Sequence, residues 1–110
     1  MIDSIYGPGV AMSKLALDAA SLRHQAIAHN IANLHSEGHV PLGVRFDARL
    51  AAERRSQARP ELVAEPTSTP PQVDGEMVKL AQNTLHYQAL IRAIGRQHAI
   101  LGVAISEGKR

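Results

Sequence analysis

The sequence predicts a mainly α protein in which long N- and C-terminal helices pair as an antiparallel coiled coil, joined by a short β-hairpin-like segment and a Pro-rich linker. Three observations carry this expectation. An apolar repeat in steps of three and four runs unbroken from Met77 to Ile105, and a shorter one runs from Leu17 to Leu34. Between them, four of the six prolines fall in the stretch from Pro60 to Pro71. The divisions that follow are a flexible N-terminus over 1–9, a helix over 10–37, a connecting segment over 38–72 and a helix over 73–110.

In the first helix, Leu17, Ala20, His24, Ile27, Ile31 and Leu34 follow the three-four spacing that makes one longitudinal stripe on an α-helix. Leu15, Leu22 and Ala26 widen the stripe, as expected of a helix with more than one neighbour. Gly7, Pro8 and Gly9 disfavour helix ahead of it, and Gly38 is suited to the residue just past its end.

The connecting segment changes period. Val40, Leu42, Val44 and Phe46 alternate with Pro41, Gly43 and Arg45, which suits a short strand with one face covered. Leu62, Val63 and Ala64 can supply its partner. The stretch from Glu65 to Pro71 reads as loop or extended linker, because proline removes backbone donors and fixes φ.

The C-terminal helix is the strongest signal. Met77, Leu80, Thr84, Tyr87, Ile91, Ile94, His98, Leu101 and Ile105 keep the seven-residue period that holds a seam against a partner helix. Asp74 is suited to an N-cap, with Val73 and Val78 placed as a hydrophobic staple. From Asp74 to Ser106 such a helix is about 50 Å long. A helix of that length cannot be covered by a domain of 110 residues. Gly95 and Gly102 weaken it by about 1 kcal/mol each relative to alanine, unless a neighbour packs closely there.

Composition points the same way. Hydrophobic residues make up 45% of the chain, but much of that is alanine, and aromatic residues are only 3%. Such a sequence can zip helices together but cannot fill a thick interior, so its burial is expected to be completed by other chains. The net charge is +2, and the densest basic cluster is Arg54, Arg55 and Arg59. That excess is more economically read as a solvated turn than as a nucleic-acid or membrane-surface contact. Tyr6, Phe46 and Tyr87 are too scattered to form a base-stacking platform.

Catalytic and metal readings find little support. With no cysteine there is no disulfide, thiolate ligand or cysteine nucleophile. Among the six histidines, His24 and His29 are five apart on different helix faces, and His35 and His39 straddle a helix end. No His-Glu-x-x-His motif accompanies them. His24 and His98 fall on seam positions, where polar residues fix register, and their titration would let pH tune association. Ser13, Ser21 and Ser106 have no strand–turn–helix elbow around them. No enzyme activity, cofactor or metal is expected. No apolar stretch approaches the roughly 20 residues of a membrane span. The first nine residues lack the basic and apolar regions of a cleavable secretory signal, so none is expected.

The segment Asn30-Ile31-Ala32-Asn33-Leu34-His35-Ser36-Glu37-Gly38-His39 stands apart. Two asparagines three apart near a helix end are unfavourable by propensity. Their amides can bond backbone groups where the helix stops, or cross to a neighbouring helix. Gly38 would then provide a left-handed turn, with His39 folding back toward Leu34 in a Schellman ending. On physics alone, a plain polar helix terminus remains an equally open reading.

Asn30, Ile31, Ala32, Asn33 and Gly38 match a signature near the N-terminus of flagellar axial proteins, the rod, hook and hook-associated proteins, and the chain resembles that family. Ser36 stands where threonine is usual, and His29 and His39 replace asparagine and tyrosine. The approach Ala16–Ala28 and the stretches Val73–Met77, Leu80–Asn83, Tyr87–Ala89 and Ala104–Gly108 resemble the proximal rod members, so the likeness covers both helices, about two-thirds of the chain. The middle is shorter than in that family. The resemblance implies a subunit of the basal-body rod in the periplasm, exported by the flagellar type III apparatus without a cleaved signal. It implies partners as well: copies of itself, other rod proteins, and the export gate or basal-body ring through an adaptor, with no nucleic acid, no cofactor and no reaction. Leu17, Ile27, Ile31 and Leu34, with the Met77–Ile105 repeat, would form the assembly seam. A free-standing coiled-coil adaptor or a small basic nucleic-acid-binding dimer is the alternative.

Overall fold

The computed structural model describes residues 8–47 and 59–108; expectations for residues 1–7, 48–58 and 109–110, including Arg54 and Arg55 of the basic cluster and the end of the 73–110 helix, lie outside them. Four elements follow in order: α1 (Pro8–Ala32), β1 (Leu42–Arg45), β2 (Glu61–Ala64) and α2 (Val73–Gly108). The chain is mainly helical, with two helices packed against each other and a small antiparallel sheet.

Helix α1 begins at Pro8, inside the segment expected to precede it. Proline is well placed in a first turn, because its fixed φ is already helical and the amide it lacks has no partner there. The helix ends at Ala32, five residues short of the expected boundary, and turns carry the chain onward. Helix α2 opens at Val73, with the Glu76 amide donating to the Gln72 carbonyl at 3.0 Å. Gln72 therefore occupies the capping place, and Asp74 lies in the first turn, where its charge favours the positive end of the helix dipole. Val73 and Val78 are 49% and 55% exposed, so they do not form the expected staple.

Ser13 Oγ lies 3.4 Å from Gln97 Oε1, and Asn83 Nδ2 lies 2.7 Å from the Ala20 carbonyl. Residue numbers rise along one helix as they fall along the other, so the helices run antiparallel. The core is shallow. Its buried apolar residues are Ala11, Ala19, Ala20, Ala26 and Ile27, and among the described residues no large side chain is fully buried.

The two strands pair antiparallel, with Leu42 opposite Ala64 and Arg45 opposite Glu61. The Glu65 amide adds a further bond to the Pro41 carbonyl at 2.7 Å, and Arg45 forms an ion pair with Glu61 at the far end. Leu42, Gly43 and Val44 are all half-buried and only Arg45 is exposed, so burial does not alternate along the strand, and Val40 and Phe46 fall outside it. The hairpin rests on α1. After it, residues 65–72 contain neither helix nor strand, in keeping with the linker reading.

The result is long and thin, with extents of 65 × 26 × 17 Å. Its radius of gyration is 17.6 Å, against about 13 Å for a compact chain of this length. The accessible surface, 7854 Å², exceeds by roughly 1,900 Å² the value expected of a compact monomer of the same mass.

Candidate functional site

The segment after α1 is built from the asparagine-rich residues themselves. Asn30 is 3% exposed, and its amide is matched to the backbone of β1. Its Nδ2 donates to the Leu42 carbonyl at 2.9 Å, while its Oδ1 accepts from the Leu42 amide at 2.8 Å. One side chain thus satisfies both backbone groups of a strand residue, as a neighbouring strand would, and fastens the hairpin to the helix. Asn33 turns the other way: its Nδ2 donates to the His29 carbonyl at 2.9 Å, which also accepts from the Asn33 amide at 3.1 Å. Ser36 continues the chain of bonds, its Oγ donating to Asn33 Oδ1 at 3.2 Å and its amide to the Asn33 carbonyl at 3.0 Å.

Gly38 has φ +75°, the left-handed conformation its position suggested. The ending is not a Schellman motif, however. The His39 amide donates to the Ser36 carbonyl at 3.3 Å, making a separate turn of residues 36–39 with positive φ at its third position, as in a type II turn. Helix α1 has already stopped at Ala32, because the Asn33 and Ser36 side chains supply bonds that compete with another helical turn. His39 comes back against His29 instead of Leu34, with ring centroids 5.0 Å apart. Ile31 and Leu34 are half-buried; Ala32 is exposed.

On α2 the long apolar repeat is divided between two rows. Leu80, Tyr87, Ile94 and Leu101 are half-buried, and so are Leu90 and Gln97, while Glu76 and Asn83 are buried. These eight positions alternate in steps of four and three, and they mark the covered side of the helix. Met77, Ile91 and Ile105 are about half exposed or more, at 50%, 48% and 55%, and His98 is exposed too. On α1, Leu17, Ala20, His24 and Ile27 are all at least half-buried.

Two polar residues with no place in the apolar repeat complete the covered side. Asn83 Nδ2 lies 2.7 Å from both the Ala20 carbonyl and His24 Nδ1, so a single amide ties the two helices together. Glu76 is 2% exposed, and its Oε1 accepts from Lys79 Nζ at 3.2 Å. Neither was legible from hydrophobic spacing. The signal that could have found Asn83 is its place four residues before Tyr87 and three after Leu80, flush with the apolar row.

Beside this seam, α1, α2 and the hairpin line an open cleft of about 460 Å³ with Ile27, Leu42 and Val44 on its apolar part and Arg23, Glu65, Glu76, Lys79 and His86 on its charged part. Gly43 matters here, since a Cβ at that position would collide with the Glu65 carboxylate lying across it. On the outer side of α2, Met77, Leu80, Ala81, Thr84, Leu85 and Gln88 line a shallow and mostly apolar groove. Leu85, Ile100 and Val103, at 68%, 62% and 58% exposed, continue the apolar surface along the helix.

Among the described residues, no three His, Asp or Glu side chains come together to hold a metal ion. No described helix is long and apolar enough to cross a membrane. The chain matches no protein-family model, and no curated protein gives a significant match to it.

Proposed function

We propose that this chain is a structural subunit of the bacterial flagellar basal-body rod, similar to the proximal rod protein FlgB. The observation that carries the assembly part of this reading is the apolar surface that α2 leaves uncovered. A helix that already packs on α1 still exposes Met77, Leu85, Ile91, Ile100, Val103 and Ile105 around its outer sides and C-terminal end. Apolar surface of this extent marks an interaction site on a soluble chain.

On this reading the antiparallel helices form a coiled coil, and neighbouring subunits complete it by docking on the apolar surface α2 leaves exposed. Heterologous contacts between identical subunits then build an open helical assembly. Sliding one helix along another would break many side-chain contacts at once, which suits a shaft that carries torque. The Asn30–His39 signature supports the flagellar assignment through its residue pattern, and its bonds give each residue of that pattern except Ile31 and Ala32 a local task. The partners are further copies, the other rod proteins, and the export gate or ring through an adaptor. The work is mechanical and needs no cofactor or catalysis, and the place is the periplasmic rod, reached by type III export.

The test is deletion of the gene in its own organism, followed by imaging of purified basal bodies. The rod is expected to be missing, to return with the intact gene, and to stay missing with Leu85→Glu plus Ile91→Glu. Intact rods in the deletion strain would refute the proposal. Salt-dependent binding of a DNA duplex by the purified chain would move the reading to the nucleic-acid-binding alternative.

A further inference from the structure

We propose that the outer face of α2 pairs antiparallel with the same face of a second copy, about a two-fold axis at Leu85. Leu85 is 68% exposed, and among the described residues no large apolar side chain is more so. Val78 and Arg92 stand seven residues to either side of it, and Asp74 and Arg96 eleven, all of them exposed. Seven and eleven residues are close to two and three whole helical turns, so these side chains lie within about 20° of one line along the helix. The line has an apolar middle and ends of opposite sign, one carboxylate toward the N-terminus and two guanidinium groups toward the C-terminus.

That order of charges selects the partner and its direction. A parallel copy would set Asp74 against Asp74 and Arg96 against Arg96, whereas an antiparallel copy centred on Leu85 sets Asp74 against Arg96 twice. Among the described residues Asp74, Arg92 and Arg96 make no ion pair. Arg92 and Arg96 are four apart on one helix, where like charges repel, and a carboxylate arriving between them relieves both. At the centre, Leu85 packs on its own copy beside the shallow groove that Met77 and Thr84 line. Ala81 comes opposite Ala89, and both are small enough to let the helices approach. The aliphatic stem of Arg92 lies over Val78, which is 55% exposed in the single chain. Such a contact closes on itself, so it is distinct from the heterologous docking of the rod reading and does not rest on it. Because it covers the same surface, the pair is a form of the chain held back from docking.

Sedimentation of the purified full chain is expected to show a monomer–dimer equilibrium. A chain that stays monomeric up to about 1 mM overturns the inference and leaves the face to a different protein. Asp74→Arg and Arg96→Asp should each raise the dissociation constant about tenfold, and the chain carrying both, which exchanges the charges, should recover most of the loss. Single variants without effect, or a double variant no better than they are, overturn it too. The register has its own test, which leaves Leu85 in place and uses a chain that has no native cysteine. Ala81 and Ala89 are about 12 Å apart along one helix, too far for an internal disulfide. The chain with both Ala81→Cys and Ala89→Cys should therefore cross-link as a dimer under mild oxidation, and either substitution alone should do so far more slowly. No faster linking in the double variant overturns the pairing about Leu85. None of these measurements uses basal bodies, so their failure is separate from failure of the rod reading.

Discussion

Replacing Asn30 with aspartate changes one group and keeps the shape, so it isolates what the amide does. In the native chain Asn30 donates to the Leu42 carbonyl at 2.9 Å and accepts from the Leu42 amide at 2.8 Å. Each bond is worth about 1 kcal/mol net, and its loss costs about 1–3 kcal/mol where a backbone group is stranded away from water. Losing both bonds in Asn30→Ala should therefore cost about 2–6 kcal/mol, a large part of the roughly 5–15 kcal/mol that holds a domain together. Aspartate keeps the acceptor but turns the donor into an anionic oxygen facing a carbonyl. Asn30→Asp should thus cost at least as much as alanine. Urea unfolding followed by circular dichroism gives the total, and amide hydrogen exchange shows where it falls. The β1 and β2 amides should lose protection first, since Asn30 fastens the hairpin to α1. The reasoning is wrong if Asn30→Asp is tolerated like the native residue, or if hairpin protection survives Asn30→Ala.

At the helix interface, Asn83→Ala removes the bonds to Ala20 and His24 and should destabilise the chain by about 1–2 kcal/mol in the same urea assay. Asn83→Asp, with an anion against the Ala20 carbonyl, should be worse, and equal stability of the two variants would count against the contact. Gly38→Ala places an L side chain at φ +75° with open space around it, so backbone strain alone should cost about 1–2 kcal/mol. Asparagine, which tolerates that conformation better, should restore part of the loss in thermal melts. Leu85→Lys touches a side chain that is 68% exposed, so the monomer's unfolding midpoint should stay within about 0.5 kcal/mol of native, while sedimentation should show lost self-association. A large drop in monomer stability would mean that this surface is not an open one.

Much of this architecture is written in local chemistry. Seven-residue spacing marked α2, alternation at Leu42 and Val44 marked β1, and Leu62–Ala64 marked its partner, because each of these patterns reports the period of a single element. Gly38 was legible for a similar reason, since positive φ is a property of one residue and its lack of a Cβ. Helix α1 starts at Pro8 and ends at Ala32, not at 10 and 37, since proline's first-turn role and the asparagine and serine bonds compete on nearly equal terms with helix. What the sequence by itself determined is therefore two helices, a hairpin and a helix that bears more apolar surface than one neighbour can use. Only the tertiary structure decided which side of α2 faces inward. Hydrophobic spacing ranks Met77 and Ile91 above Glu76 and Asn83, yet the polar pair is buried and the apolar pair is exposed. The reason is complementarity: an alanine-lined α1 lets its backbone come close, and the Ala20 carbonyl and His24 then need a donor that asparagine can give and an aliphatic side chain cannot.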